Sequence, residues 1–328
     1  MTTTLPPRLS RRQFLQITAA AGLTLGVGYL SRTLWAHPTT IQETRILMGT
    51  VINLALVTED KQEGERVVAA AFAAMERLIA LFDHRQPDTP LARLNQTGQL
   101  TQAPPELTAL IAQALEYGRL TDGAFDISIK PLLDARKAGV TDWEEAWQRV
   151  DYRKVQITGA EIAFDMPGMS LTLDGIAKGR VVDGATALLQ ANGFDNILVE
   201  AGGDLMGYGL NEDNQPWQVG IAHPRQSNVL SVLPVWAQAV ATSGDYMNSF
   251  SNDFSLHHIL DPRTGHSPTQ IASATAIAPT ATDADALSTA LMVLGVEAGL
   301  ALANRLPDVE ALLIDKEMGL HRTSGFPL

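Results

Sequence analysis

The chain has 328 residues, enough for two domains or one large one at roughly 150 residues per domain. Lys and Arg total 24 against 36 Asp and Glu, a net charge of −12 that excludes broad electrostatic binding to nucleic acid. Cysteine is absent, which excludes disulfides, thiol catalysis, Cys-ligated zinc and iron–sulfur clusters and leaves chemistry built on carboxylates, hydroxyls, His and Lys.

The first feature in chain order is an address. Ser10-Arg11-Arg12-Gln13-Phe14-Leu15 is a twin-arginine signature, and the uncharged run from Ile17 to Leu30 follows it. That run has 14 residues, short of the ~20 a membrane span needs, so it reads as the apolar part of an export signal. Leu34-Trp35-Ala36 offers a small-residue cleavage site. The sequence therefore divides into a signal over residues 1–36 and one mature domain over 37–328. The expected partner during export is the twin-arginine translocase. The expected destination is the periplasm or the extracytoplasmic face of the membrane, or the thylakoid lumen in a photosynthetic cell.

Ile46, Met48, Ile52, Leu54 and Leu56 fall on alternate positions, predicting a strand over 45–57. The period then changes: Val67, Val68, Ala71, Phe72, Met75 and Leu78 make one face of a helix over 62–82. Pro104-Pro105 opens a second helix, with Leu107, Leu110, Ile111, Ala114 and Leu115 inward. Strand-like runs lie near 155–158, 169–173, 196–200, 217–221 and 229–236. Helices are predicted at 177–191 and 283–304, and a late strand at 309–314. Strands and helices mix without strict alternation, which predicts an α+β fold.

Neither a Walker A loop nor a His-Glu-x-x-His zinc pattern occurs. Gly123-Ala124-Phe125-Asp126 reads as a turn before a strand. Asp174-Gly175-Ile176-Ala177-Lys178-Gly179 puts a Lys just inside a helix start, where backbone N–H groups attract anions; an ordinary capped helix has the same pattern. Asp285 and Thr289 stand four apart, on one helix face. A carboxylate and a hydroxyl are hard oxygen ligands suited to Mg²⁺, and an acid favouring the helix dipole is the plainer alternative. His258 to Gly265 ends in a Pro-x-x-Gly turn.

Taken in order, these pieces resemble the ApbE family, the FAD:protein FMN transferases. The resemblance runs through Met48-Gly49-Thr50, Gly123 to Asp126, Leu173 to Gly179, Glu200-Ala201-Gly202-Gly203-Asp204, Ala241 to Tyr246, His258 to Gly265, and Ala278 to Thr289. It implies an α+β domain with a flavin-binding cleft. The implied enzyme is Mg²⁺-dependent and moves FMN from FAD onto a Thr or Ser hydroxyl of an acceptor flavoprotein in an exported electron-transfer system, releasing AMP. Two other readings accompany it: a Mg²⁺-dependent FAD pyrophosphatase giving FMN and AMP, and a non-catalytic flavin-binding accessory factor. The resemblance implies metal ligands at Gly175 (backbone carbonyl), Asp285 and Thr289, FAD contacts at Met48, Ala124, Phe125, Asp126 and Lys178, and a proton acceptor at His258. Two positions depart from the family pattern. Thr172 stands where a flavin-contacting Asp is usual, with Asp174 close by to substitute, and Arg85 stands in for a Tyr.

Overall fold

The computed structural model describes residues 38–328; the twin-arginine signature and the Ala36 cleavage site lie outside the described residues. The chain opens with β1 (Thr39–Leu47) and β2 (Thr50–Thr58), an antiparallel hairpin. Its turn residues Met48 and Gly49 have φ of 53° and 72°, the paired positive values of a type I′ turn. The single strand predicted over 45–57 is thus two strands, because apolar alternation continues through a tight turn.

Helix α1 (Lys61–Phe82) is capped by Asp60, which accepts from the Glu63 amide at 3.0 Å. It buries the predicted face. Helices α2 (Pro90–Thr97) and α3 (Pro105–Leu120) follow, and all five residues predicted inward on α3 are buried. After Asp126 the chain forms a short 3₁₀ turn and then α4 (Lys130–Lys137) and α5 (Glu144–Trp147), not the expected strand. A small sheet joins β3 (Gln99–Leu100), β4 (Val155–Thr158) and β5 (Glu161–Phe164).

Met169, Leu171, Thr172 and Leu173 are buried, but the segment pairs with no strand. The Asn95 side chain satisfies Leu171 on both sides, donating to its carbonyl at 2.9 Å and accepting from its amide at 2.7 Å. The Thr172 amide donates to the Ile127 carbonyl at 2.9 Å. The strand predicted over 169–173 does not form, because its backbone hydrogen bonds go to a side chain and a turn.

The remaining elements are α6 (Ala177–Ala191), β6 (Ile197–Ala201), β7 (Asp204–Tyr208), β8 (Trp217–Ala222), β9 (Val229–Val235), β10 (Gln238–Gly244), β11 (Ile271–Ala278), α7 (Ala281–Ala303), β12 (Glu310–Asp315) and β13 (Leu320–Arg322). Eight strands form one antiparallel sheet in the order β1-β2-β6-β7-β10-β11-β12-β13. Helices α1, α6 and α7 pack on one another and on this sheet. The β8–β9 hairpin contributes Trp217, Leu233 and Val235 to a second apolar cluster, with Leu205, Val240 and Ile277 from the sheet. This is the expected α+β class. α7 is long and apolar enough to cross a membrane, yet most of it is buried against β10, β11 and α6, so it serves as a core helix here.

Candidate active site

The N-termini of α6 and α7 meet with almost no space between them. A Cβ on Gly179 would lie 2.7 Å from the Thr282 Cα and closer still to the Ala281 carbonyl, so only glycine permits this approach. Asp183 on α6 locks the crossing. Its carboxylate accepts from the Ala281 amide at 2.8 Å, the Thr282 amide at 2.9 Å and the Thr282 hydroxyl at 2.5 Å, filling donors that a helix start leaves open. Thr280 adds its own cap on the Asp283 amide at 3.1 Å.

That crossing brings charge together. Lys178, the second residue of α6, directs its ammonium onto Asp204, at the start of β7, and toward Asp285 Oδ1 at 3.4 Å. The other Asp285 oxygen accepts from the Gly179 amide at 3.0 Å. Asp204 and Asp285 are each 2% exposed, so Asp285 is no solvated helix-start acid. Burial by itself would lower the Lys178 pKa, but Asp204 and then Asp285 outweigh it and the ammonium is held charged. Burial, followed by repulsion from Asp285, pushes the Asp204 carboxyl up to about 7. One turn along α7 from Asp285, the Thr289 hydroxyl lies 3.3 Å from Ser243 Oγ, which also bonds Ser288 at 2.8 Å. Gly175 sits beside it: a Cβ there would be 3.2 Å from both Thr289 Oγ1 and the Phe125 ring.

Two buried carboxylates share one ammonium, and the oxygens beside them are hydroxyl and backbone. This donor set fits a hard divalent cation that takes few protein ligands. Among the described residues no three His, Cys, Asp or Glu converge as a metal cluster, which sets the site apart from a nitrogen- or sulfur-rich one.

The other predicted residues range from half-buried turn positions to the core. Met48 is half-buried in the β1–β2 turn. Ala124 and Phe125 are buried, and Phe125 packs edge-to-face on Tyr117 with centroids 6.0 Å apart. Asp126 turns inward: its carboxylate accepts from the Ser128 amide at 2.7 Å, the Ser128 hydroxyl at 2.6 Å and the Tyr152 amide at 3.0 Å. Burial pushes that carboxyl up to about 6 against these donors. Thr172 is buried and accepts from the Asp174 amide at 3.2 Å. Asp174 itself is paired with exposed Arg85 at 2.7 Å, so these two unusual residues meet each other.

His258 follows the 246–257 loop, its amide bonded to the Asn248 carbonyl at 3.0 Å. Its ring Nδ1 is buried and has no protein partner. Burial first, then His257, Lys137 and Lys178, lower its pKa to about 4, so the imidazole is neutral at ordinary pH and has a free acceptor. His257 packs 6.5 Å away and is bonded to the Pro268 carbonyl through Nε2 at 3.1 Å.

Sequence reasoning missed Asp183, Asp204 and Ser243. Asp204 and Ser243 stood inside quoted motifs, but no linear spacing brings them beside Lys178 or Thr289.

A profile of the ApbE family matches residues 48–313. The chain is 30% identical over 301 residues to the FAD:protein FMN transferase of Vibrio cholerae, covering 85% of this chain and 89% of that one. It is 33% identical over 303 residues to the protein of the same name in Treponema pallidum, covering 80% and 82%. Among solved structures, the ApbE protein of Thermotoga maritima superposes with a TM-score of 0.80 at 28% identity, covering 88% of this chain and 98% of that one.

Proposed function

The chain belongs to the ApbE family, and on that premise we propose that it moves FMN from FAD onto a Thr or Ser hydroxyl of an exported acceptor flavoprotein, with AMP as the leaving group and Mg²⁺ on the phosphates. The observation that carries this reading is the crossing of α6 and α7, which gathers Lys178, Asp285 and Thr289 at an open helix start. In the reaction the acceptor oxygen bonds to the FMN phosphorus, the pyrophosphate P–O bond breaks toward AMP, and the hydroxyl proton leaves.

His258 is the group for that proton. Its neutral ring suits an acceptor, and negative phosphates brought by FAD would strengthen a base this weak. Lys178 and the positive end of the α6 dipole supply charge for the phosphates; the Gly179 amide serves Asp285 and the Ala177 amide the Leu173 carbonyl. Asp285, Thr289 and the Gly175 carbonyl would hold Mg²⁺, which when bound would neutralise phosphate charge. Phe125 supports Gly175 from beneath, and the Met48 turn and the Arg85–Asp174 pair are the proposed edges of the flavin cleft. Asp126 and Thr172 support this reading indirectly, by fixing the turns on either side of Phe125 and Gly175.

The test is incubation of the mature protein with FAD, Mg²⁺ and an acceptor protein carrying an exposed Thr or Ser. Covalent flavin on the acceptor is the expected product, absent with a His258→Asn variant that folds normally. Free FMN and AMP alone would make the protein a pyrophosphatase, and unchanged FAD would make it a flavin binder. Delivery by twin-arginine export completes the proposal, supported by Arg11-Arg12 and the uncharged run after them.

A further inference from the structure

We infer that Lys178 is a built-in competitor for the divalent cation at Asp285, and that Asp204 is the post to which its ammonium withdraws when the cation enters. The inference rests on the flavin-transferase reading only for the nature of the cation.

The contacts around the two carboxylates are unequal. Asp285 has one oxygen committed to the Gly179 amide at 3.0 Å, so Oδ1 alone is left to offer a cation. Lys178 stands on that oxygen, but loosely, at 3.4 Å. Its close partner is Asp204, which is buried at the start of β7 and belongs to a different layer. The ammonium therefore covers the cation's ligand atom through its weaker contact and is tethered through its stronger one. A dication arriving at Oδ1 repels the ammonium, and Asp204 gives that charge a place to stay without leaving the interior. Without Asp204 the displaced ammonium, only partly exposed, would lose its carboxylate partner. Without Lys178 two buried carboxylates would face each other with no cation between them.

The arrangement has an order built into it. Before FAD arrives, the site is neutralised in part by its own lysine, which protects the fold and weakens metal binding. Once the metal holds Asp285, Lys178 retains Asp204 and has donors to spare for phosphate oxygens. Metal and phosphate are then recognised by charges that had been neutralising each other.

Mn²⁺ binding to FAD-free protein, followed by EPR titration, tests this directly. Lys178→Met should bind Mn²⁺ about tenfold more tightly than the wild type, since it removes a like charge beside the ligand oxygen. Lys178→Arg, which keeps the charge, should bind no more tightly than the wild type. Asp204→Asn should bind about tenfold more weakly, because the ammonium then rests on Asp285 alone. Melting curves should show a larger Mn²⁺-induced rise in Tm for Lys178→Met than for the wild type. Equal or weaker Mn²⁺ binding by Lys178→Met, or none by either protein, overturns the inference. If Lys178→Met does not fold, Asp204→Asn decides: unchanged Mn²⁺ affinity there overturns it as well. FMN transfer by the wild type is scored separately, so its failure would remove the flavin reading and leave the Mn²⁺ competition standing.

Discussion

Replacing Gly179 with Ala tests whether the α6–α7 crossing sets the site. The new Cβ would lie 2.7 Å from the Thr282 Cα and nearer to the Ala281 carbonyl, where ordinary contact begins at 3.4 Å. Both neighbours are backbone in the first turn of α7, so no rotamer change relieves the clash and the helices must part. Parting them stretches the Gly179–Asp285 bond of 3.0 Å and the two Asp183 bonds of 2.8 and 2.9 Å. Overpacking costs about 1–3 kcal/mol, and weakening a hydrogen bond to a buried carboxylate about 1.5–3 more. The better helix propensity of Ala returns about 1 kcal/mol. The net loss is about 2–5 kcal/mol, a fall in Tm of roughly 3–8 °C for a domain of this size. The control is Gly184→Ala on the same helix. There a Cβ meets only Leu78 Cδ1, at 2.6 Å, the tip of a side chain that can rotate away. That variant should stay within about 1 kcal/mol of the wild type. Thermal melts and FMN transfer are measured on all three proteins. Gly179→Ala with the wild-type Tm and rate would refute the claim that this backbone approach positions Lys178 against Asp285.

Three further outcomes are expected. Asp285→Asn keeps an acceptor for the Gly179 amide but loses the charge, so FMN transfer should collapse and recover poorly at high Mg²⁺; Thr289→Ala, which loses only a neutral oxygen, should recover in part, as a Mg²⁺ titration of the rate will show. Asp126, raised to about 6 from its ordinary 3.8, binds a proton more tightly folded than unfolded. Its contribution is complete below about pH 4 and is lost as pH rises through 6, so Asp126→Asn should remove a fall of about 1–3 kcal/mol between pH 4 and 7 in urea melts. Arg11→Lys with Arg12→Lys should leave the precursor in the cytoplasm on fractionation, because the export receptor reads the Arg pair and not positive charge alone.

The amphipathic elements were legible because one face of each meets water. α1 and α3 showed their buried faces at helical spacing, and Asp285 and Thr289 declared a shared face by standing four apart. β11 was illegible for the opposite reason. All eight of its residues are buried, covered by α7 on one side and by the cluster that includes the β8–β9 hairpin on the other, so no alternation marks it. Four of its eight residues are Ala, which dilutes the β-branched signal of Ile271, Thr275 and Ile277. Of the site, the sequence showed residue types and motif order but not which carboxylates converge. Asp183 and Asp204 act across elements, through a cap on another helix and a contact from a strand, and such pairings exist only once the layers are stacked. The Arg85–Asp174 pair is the same kind of fact: one departure from the pattern proved to interact with a close neighbour of the other.

The strip at 169–173 that leads to Gly175 has an edge with no neighbouring strand, and one amide side chain, that of Asn95, does the work of a ladder. Thr172 is tied to Ile127 as well, and Met169, Leu171 and Leu173 pack into the main core, so the strip is held by turns and side chains and not by a neighbouring strand. An amide is also the only common side chain of that length that offers a donor and an acceptor together. An Asp at position 95 would set a carboxylate against the Leu171 carbonyl and turn the anchor into a repulsive contact. The strip that leads to Gly175 is thus rooted in the core by its apolar side chains, while its backbone registry leans on the orientation of one side-chain amide.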